Sequence, residues 1–135
     1  MALIVWDQQY NVHVRRIDDE HQGMVALVNE LNEAMKWRKG KDEIARILSE
    51  LIARTQVHFA TEEQLMKDHD YAGYPEHKAE HERLLQEISA LERRYAEGDL
   101  LLSFAIMLYL KGWALAHVSS CDKALGAYLN SKAVY

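Results

Sequence analysis

Four long segments of the chain repeat mostly apolar residues at alternating steps of three and four, and this periodicity constrains the fold most strongly. Such spacing places the residues on one face of an α-helix, where they form the seam of a helical bundle. The four seams are Ile17, His21, Met24, Val28, Leu31 and Met35; Ile44, Leu48, Leu51, Thr55, His58, Glu62 and Leu65; His77, His81, Leu84, Ile88, Leu91 and Tyr95; and Met107, Leu110, Ala114 and His117.

The residues that interrupt helices lie between these seams. The chain has one proline and six glycines, and the breaks fall around Gly40, at 71–75 and at 98–99. Pro75 suits the first turn of the helix that it opens, where its missing N–H costs nothing. The predicted helices lie near 18–37, 41–69, 76–96 and 101–130, after a non-helical arm at 1–16. Because short connections make consecutive helices antiparallel, the sequence predicts an all-α, up-and-down four-helix bundle.

Length and composition limit the number of domains and the classes of partner. A chain of 135 residues is long enough for one domain, so residues 1–135 are expected to form a single unit. Its 21 acidic and 16 basic residues give a net charge of −5, with no cluster of Lys and Arg to neutralise phosphates. The longest apolar stretch, 100–110, is well short of the roughly 20 residues that span a bilayer. We expect no nucleic-acid partner and no transmembrane segment.

Two further features bear on location. The amino terminus has no basic start, and Asp7 ends its apolar run before the length of a signal peptide is reached. Cys121 is the only cysteine and cannot form an internal disulfide, which suits a reducing compartment. We expect a cytoplasmic protein and a monomer.

The fourth seam shifts by one residue after His117, since the pattern resumes with Asp122, Leu125 and Leu129. In a regular helix His117 and Asp122 would point about 140° apart and could not share a ligand. One extra residue in a π-bulge would return Asp122 to the inner face. The sequence therefore predicts a bulge between these two residues.

Titratable side chains occupy all four seams at one end of the predicted bundle. They stand near the start of the first and third helices and near the end of the second and fourth, and these ends coincide in an antiparallel bundle. A single buried histidine is usually a hydrogen-bonded core residue, but this number would be costly without a common partner. The set comprises His21, His58, Glu62, His77, His81, His117 and Asp122.

Five imidazoles and two carboxylates exceed what one tetrahedral zinc would take, and they suit two first-row transition metals instead. If Glu62 and Asp122 each give one oxygen to each metal, and a solvent-derived oxo or hydroxo group joins the metals, nine protein ligand atoms are available. Two octahedra sharing that bridge need ten. The sequence therefore predicts a two-metal site with one open position.

Four motifs in this order resemble those of the hemerythrin family, specifically the single-domain bacteriohemerythrins. They are Ile17-Asp-Asp-Glu-His21, His58-Phe-Ala-Thr-Glu62, His77-Lys-Ala-Glu-His81 and His117-Val-Ser-Ser-Cys-Asp122. The resemblance covers essentially the whole chain, including the arm with Trp6. It implies a non-haem di-iron centre that binds dioxygen reversibly, for storage, transport or delivery, rather than an enzyme.

The resemblance also implies how the ligands are divided. One iron takes His77, His81 and His117, the other takes only His21 and His58, and the two carboxylates bridge. Dioxygen would bind at the iron with two histidines, as a hydroperoxide beside an oxo bridge. Small anions such as azide would compete there, and a reductase or an oxygen-consuming enzyme would be a partner. By helix geometry, the apolar wall of this position is expected to include Met24, Leu65, Trp113 and Ala114.

Ala114 departs from the family pattern, which usually has Leu directly after the tryptophan of the fourth helix. Because Ala114 lies one turn before His117 on the same seam, the shorter side chain is expected to leave a cavity beside the metals. The alternative is that Trp113 or Leu115 has repacked into the space.

Three other functions compete with this interpretation. A ferritin-like di-iron oxidase would use paired Glu-x-x-His motifs, and the sequence has none. A di-iron enzyme that handles nitric oxide or peroxide could use the same ligands. A sensor of oxygen or redox state would need a partner, because no output domain follows before Tyr135.

Overall fold

The helices of the computed structural model follow the four predicted seams. The structure describes residues 2–98 and 103–135, without the side chains of His117, Ser119 and Ser120. The described residues contain no strand. The helices are α1 (Arg15–Lys36), α2 (Lys41–Asp68), α3 (Tyr74–Ala96), α4 (Phe104–His117) and α5 (Lys123–Ser131). A helical segment joins α4 to α5, so these two form one continuous helical element, and the fold is a four-helix bundle. Helix α2 packs against α1 and α3, and α1 packs against α4.

The first helix starts earlier than predicted, and Asp18 lies inside it. We expected the helix near residue 18, after an arm at 1–16, but it begins at Arg15. The Asp18 carboxylate accepts hydrogen bonds from the backbone N–H groups of Val12 and His13, at 2.8 and 3.1 Å. It therefore ties the arm to the helix from within the first turn.

The arm contains a short 3₁₀ turn at Gln8–Tyr10 and lies along the bundle. Asn29 of α1 accepts a hydrogen bond from the backbone N–H of Ile4 and donates one to its carbonyl, both at 2.8 Å. At the other end of the arm, Val12 lies so close to Gly126 of α5 that an added Cβ would be 2.4 Å from the Val12 carbonyl oxygen. A side chain at Gly126 would push the arm away.

The starts of α3 and α4 have local causes. Pro75 lies in the first turn of α3, as predicted, although that helix begins at Tyr74 rather than near 76. The Ser103 hydroxyl caps α4 by accepting a hydrogen bond from the N–H of Ile106 at 3.3 Å. The predicted start of this helix, at 101, lies outside the described residues. No helix in the described ranges combines the length and hydropathy that crossing a bilayer requires.

The predicted bulge is present. Val118–Asp122 form a π-helical turn that joins α4 to α5 without a break. The wider turn absorbs the one-residue shift of the seam, and Asp122 is fully buried as a result.

A layer of buried polar residues, called the polar layer here, divides the apolar core into two parts. It contains His21, His58, Glu62, His77, His81 and Asp122. The larger part, called the long cluster here, includes Met24, Phe59 and Leu84. The smaller part, called the end cluster, consists of Val12, Val14, Ile17, Met66, Leu125 and Leu129. Along α1 the order is Ile17, His21, Met24, so the histidine lies between the two clusters. The metal-binding candidates therefore lie in a layer with apolar packing on both sides.

One predicted seam position in α2 is wrong. Met66, rather than Leu65, is the fully buried residue one turn after Glu62. Leu65 is only half-buried and packs against the end cluster. The buried face runs through two successive steps of four residues from His58, because a helix of 3.6 residues per turn slowly rotates relative to a strict repeat.

Candidate metal centre

The described members of the predicted ligand set lie together in the polar layer and are almost completely buried. Their exposed fractions are His21 1%, His58 0%, Glu62 0%, His77 3%, His81 1% and Asp122 0%. Ionised carboxylates are costly to bury unless cations or hydrogen-bond donors surround them. Six of the seven predicted residues thus lie together in the structure, and the two buried carboxylates are surrounded by histidines. The seventh, His117, ends α4 at this level, and its side chain lies outside the described part of the structure.

In one half of the polar layer, two histidines face one oxygen from each carboxylate. The Nε2 atom of His21 lies 2.6 Å from Asp122 Oδ2 and 3.6 Å from Glu62 Oε2. The Nε2 atom of His58 lies 2.8 Å from the same Glu62 oxygen and 3.7 Å from the same Asp122 oxygen. These two nitrogens and two oxygens surround one common point.

In the other half of the polar layer, two more histidines face the remaining carboxylate oxygens. The Nε2 atom of His77 lies 3.1 Å from Glu62 Oε1 and 2.9 Å from Asp122 Oδ1. His81 Nε2 lies 2.8 Å from Glu62 Oε1. Each carboxylate thus divides its oxygens between two pairs of histidines, which is how a bridging carboxylate is disposed.

This donor set fits two metal ions. Two groups of four side chains, His21, His58, Glu62, Asp122 and Glu62, His77, His81, Asp122, each bring one ligand atom per residue within 4.8 Å of all the others. Glu62 and Asp122 belong to both groups. Imidazole nitrogens and carboxylate oxygens together suit first-row transition metals such as iron, and the absence of described thiolate ligands argues against a soft-metal site.

Two acidic residues that the sequence analysis did not single out contact the outer nitrogens of the histidines. Glu20 Oε1 lies 2.7 Å from His58 Nδ1, and Glu63 Oε2 lies 3.0 Å from His81 Nδ1. An ionised carboxylate can only accept, so Nδ1–H donates in each pair, and Nε2 is the nitrogen that a metal ion would bind after displacing its proton. The sequence offered one signal for these two acids, which is their position. Glu20 directly precedes the predicted ligand His21, and Glu63 directly follows the predicted ligand Glu62.

The electrostatics of the layer favour bound protons when no metal is present. Burial lowers the pKa of His58, but Glu62, Asp122 and Glu20 outweigh it and hold that pKa well above the usual value. Burial likewise opposes the charged form of His77, yet hydrogen bonds to Asp122 and Glu62 raise its pKa to about 8. Metal ions and protons therefore compete for the same nitrogens.

Aromatic rings hold two of the histidines in place. Phe59 stacks on His81 with ring centroids 3.9 Å apart and planes 3° from parallel. Trp6, from the arm, lies against His21 with centroids 6.5 Å apart. The arm therefore contributes an aromatic ring beside the layer at His21.

The four predicted wall residues are divided between the two apolar clusters. Met24, Trp113 and Ala114 are buried in the long cluster. The Trp113 indole N–H donates to the carbonyl of Leu84 at 3.1 Å, which fixes its ring across the bundle. Leu65 packs against the end cluster, on the other side of the polar layer. Of the four predicted residues, only Met24, Trp113 and Ala114 could belong to a wall on the long-cluster side.

Comparison with known proteins agrees with this geometry. The model of the hemerythrin HHE cation-binding domain matches residues 12–129. A bacteriohemerythrin of Methylococcus capsulatus is 28% identical, over 97% of this chain and 100% of that protein. A bacteriohemerythrin of Pseudomonas aeruginosa is 32% identical, over 90% of this chain and 78% of that protein. The myohemerythrin of Sipunculus nudus is 30% identical, over 87% of each chain.

Solved structures show the same similarity in three dimensions. The crystal structure of a hemerythrin leucine-to-alanine mutant superposes with a TM-score of 0.88 at 29% identity, covering 96% of this chain and 98% of that chain. A wild-type hemerythrin structure gives a TM-score of 0.87 at 28% identity, covering 95% and 98%. The similarity therefore extends over nearly the whole length of both chains.

Proposed function

The chain belongs to the hemerythrin family, and on that premise we propose that it binds dioxygen reversibly at a pair of iron ions. The observation that carries the proposal is the division of the Glu62 and Asp122 oxygens between two groups of histidines. A site for a single metal would not need both carboxylates to face two separate points.

In the proposed assignment, His21 and His58 hold one iron, while His77, His81 and His117 hold the other. Glu62 and Asp122 are shared. The iron with two histidines has fewer protein ligands and is the position for dioxygen. When bound, the iron pair supplies the two electrons that reversible binding of dioxygen requires.

The side chains of this chain provide the setting for that chemistry. The carboxylates of Glu20 and Glu63 accept the Nδ1–H protons of His58 and His81 at the edge of the layer. The long cluster places buried apolar side chains next to the layer, with Met24, Trp113 and Ala114 as the proposed wall of the dioxygen position. Such a wall excludes water and anions, which would otherwise compete with dioxygen.

Dioxygen binding without turnover defines a carrier, and we propose storage, transport or delivery rather than catalysis. Delivery would involve an oxygen-consuming enzyme, and a reductase would restore the reduced state. The single cysteine suits the reducing cytoplasm, which is the proposed location, and the proposed state is a monomer.

The test is an optical and metal analysis of the iron-loaded, reduced protein. We expect two irons per chain and an absorption band that appears in air, disappears under vacuum and returns over several cycles. Steady consumption of a reductant with dioxygen, peroxide or nitric oxide would indicate an enzyme instead. A colourless protein that retains zinc in preference to iron would contradict the proposal.

A further inference from the structure

Glu20 and Glu63 each contact a candidate ligand histidine on a neighbouring helix, rather than a Lys or Arg there. Glu20 of α1 contacts His58 of α2, and Glu63 of α2 contacts His81 of α3. Their side chains are 23% and 22% exposed, so each lies at the boundary between the polar layer and the solvent. Each contacted histidine belongs to a different group of candidate ligands.

We propose that Glu20 and Glu63 are positioning residues of the metal centre, with Glu20 serving the two-histidine iron and Glu63 serving the three-histidine iron. This inference rests on the proposed di-iron function. Each carboxylate would fix the tautomer and the ring orientation of its histidine, and would make the opposite nitrogen a stronger donor to the metal.

Glu20 is itself held in place, which a positioning role requires. Its second oxygen accepts a hydrogen bond from the Thr61 hydroxyl at 3.0 Å, and Arg16 Nε lies 3.8 Å from the same oxygen. Thr61 is buried and stands one turn after His58 on α2. The carboxylate is therefore oriented by the helix whose histidine it contacts, and a chain of contacts runs from Thr61 through Glu20 to His58.

A purely structural role would give a different pattern of effects. If the two acids only tied helices together, removing either would loosen the bundle and affect both irons alike. Positioning predicts a separation instead, because the two histidines belong to different groups. The distinction is measurable, since two iron sites with different ligand counts give separate signals.

The experiment compares Glu20→Gln and Glu63→Gln with the native chain, loaded with iron(II) enriched in the Mössbauer isotope. Glutamine preserves the shape but removes the charge that strengthens the hydrogen bond. Glu50→Gln is the matched control, because Glu50 pairs with Arg46 at 3.1 Å and lines the same surface groove as Glu20. The readouts are the two Mössbauer signals and the release of iron(II) to a chelator.

We expect Glu20→Gln to shift the signal of one iron and to weaken retention of that iron by about 10- to 100-fold. Glu63→Gln should do the same to the other iron, and Glu50→Gln should match the native chain. Thr61→Val should move the same signal as Glu20→Gln, by less. If both irons change equally in each variant, or if neither changes, the positioning role is wrong.

The controls separate this failure from failure of the proposed function. Circular dichroism of the metal-free variants reports loss of folding, and Glu20→Ala provides a stronger second variant where Gln has a small effect. A native chain that does not hold two irons contradicts the di-iron proposal itself. A native chain with two irons and reversible dioxygen binding, but unaffected variants, contradicts only the positioning roles.

Discussion

Replacing Ala114 by Leu tests whether the wall of the metal centre contains a space. Ala114 is 6% exposed and lies in the long cluster, one turn before His117 on α4. Its neighbour Trp113 is held by the hydrogen bond to the Leu84 carbonyl, so the ring cannot move into a gap without losing that bond. We therefore expect a space beside the metals that a leucine would fill.

The size of the effect follows from the atoms added. Leucine has three more carbons than alanine, and burial of each is worth about 0.8 kcal/mol, so filling a real space should stabilise the fold by about 2 kcal/mol. In a chain of this length, that corresponds to a rise in Tm of roughly 6–8 °C. Without a space, overpacking would instead cost about 1–3 kcal/mol. The sign of the change therefore distinguishes the two cases.

Two measurements on the same variant are needed. The Tm of the metal-free protein measures packing, and the rate of autoxidation of the iron-loaded protein, at equal pH and azide concentration, measures access to the metals. We expect Ala114→Leu to raise the first and slow the second, because a filled wall admits less water and fewer anions. Ala105→Leu is the control, since Ala105 is exposed on the same helix.

Either of two results would refute the reasoning. Equal autoxidation rates would mean that Ala114 does not control access to the dioxygen position. A lowered Tm would mean that the neighbouring side chains already occupy the space.

Three further predictions concern the ligands. His77→Ala should lose iron and lower Tm, because metal binding and folding are coupled; retention of two irons with normal dioxygen binding would show the assignment to be wrong. Azide should bind the oxidised protein at one position and leave every histidine coordinated, as measured by titration and X-ray absorption. Iron binding should release protons, because the metal-free protein holds them on His58 and His77 with raised pKa values; the His77 part of the release, detected with an indicator, should disappear as the pH rises through about 8.

The sequence by itself determined the helices and the level of the metal site, because both follow from local periodicity. Steps of three and four identify the buried face of each helix. The position of a histidine along the chain then shows at which end of its helix it lies. The π-helical turn at Val118–Asp122 was predictable for the same reason, since a shift of one residue in the seam is visible without knowing any neighbour.

Only the tertiary structure decided how the helices are rotated and which residues meet across them. Periodicity specifies a face to within one residue, so it could not distinguish Leu65 from Met66 after Glu62. It also could not show that Asp18 binds the arm, or that Glu20 and Glu63 reach histidines on neighbouring helices. These contacts depend on rotations of a few tens of degrees and on distances of about 3 Å between segments far apart in sequence. The division of the Glu62 and Asp122 oxygens between two groups of histidines arises from the same packing, because four separate helical rods must place their ligands around two points at once.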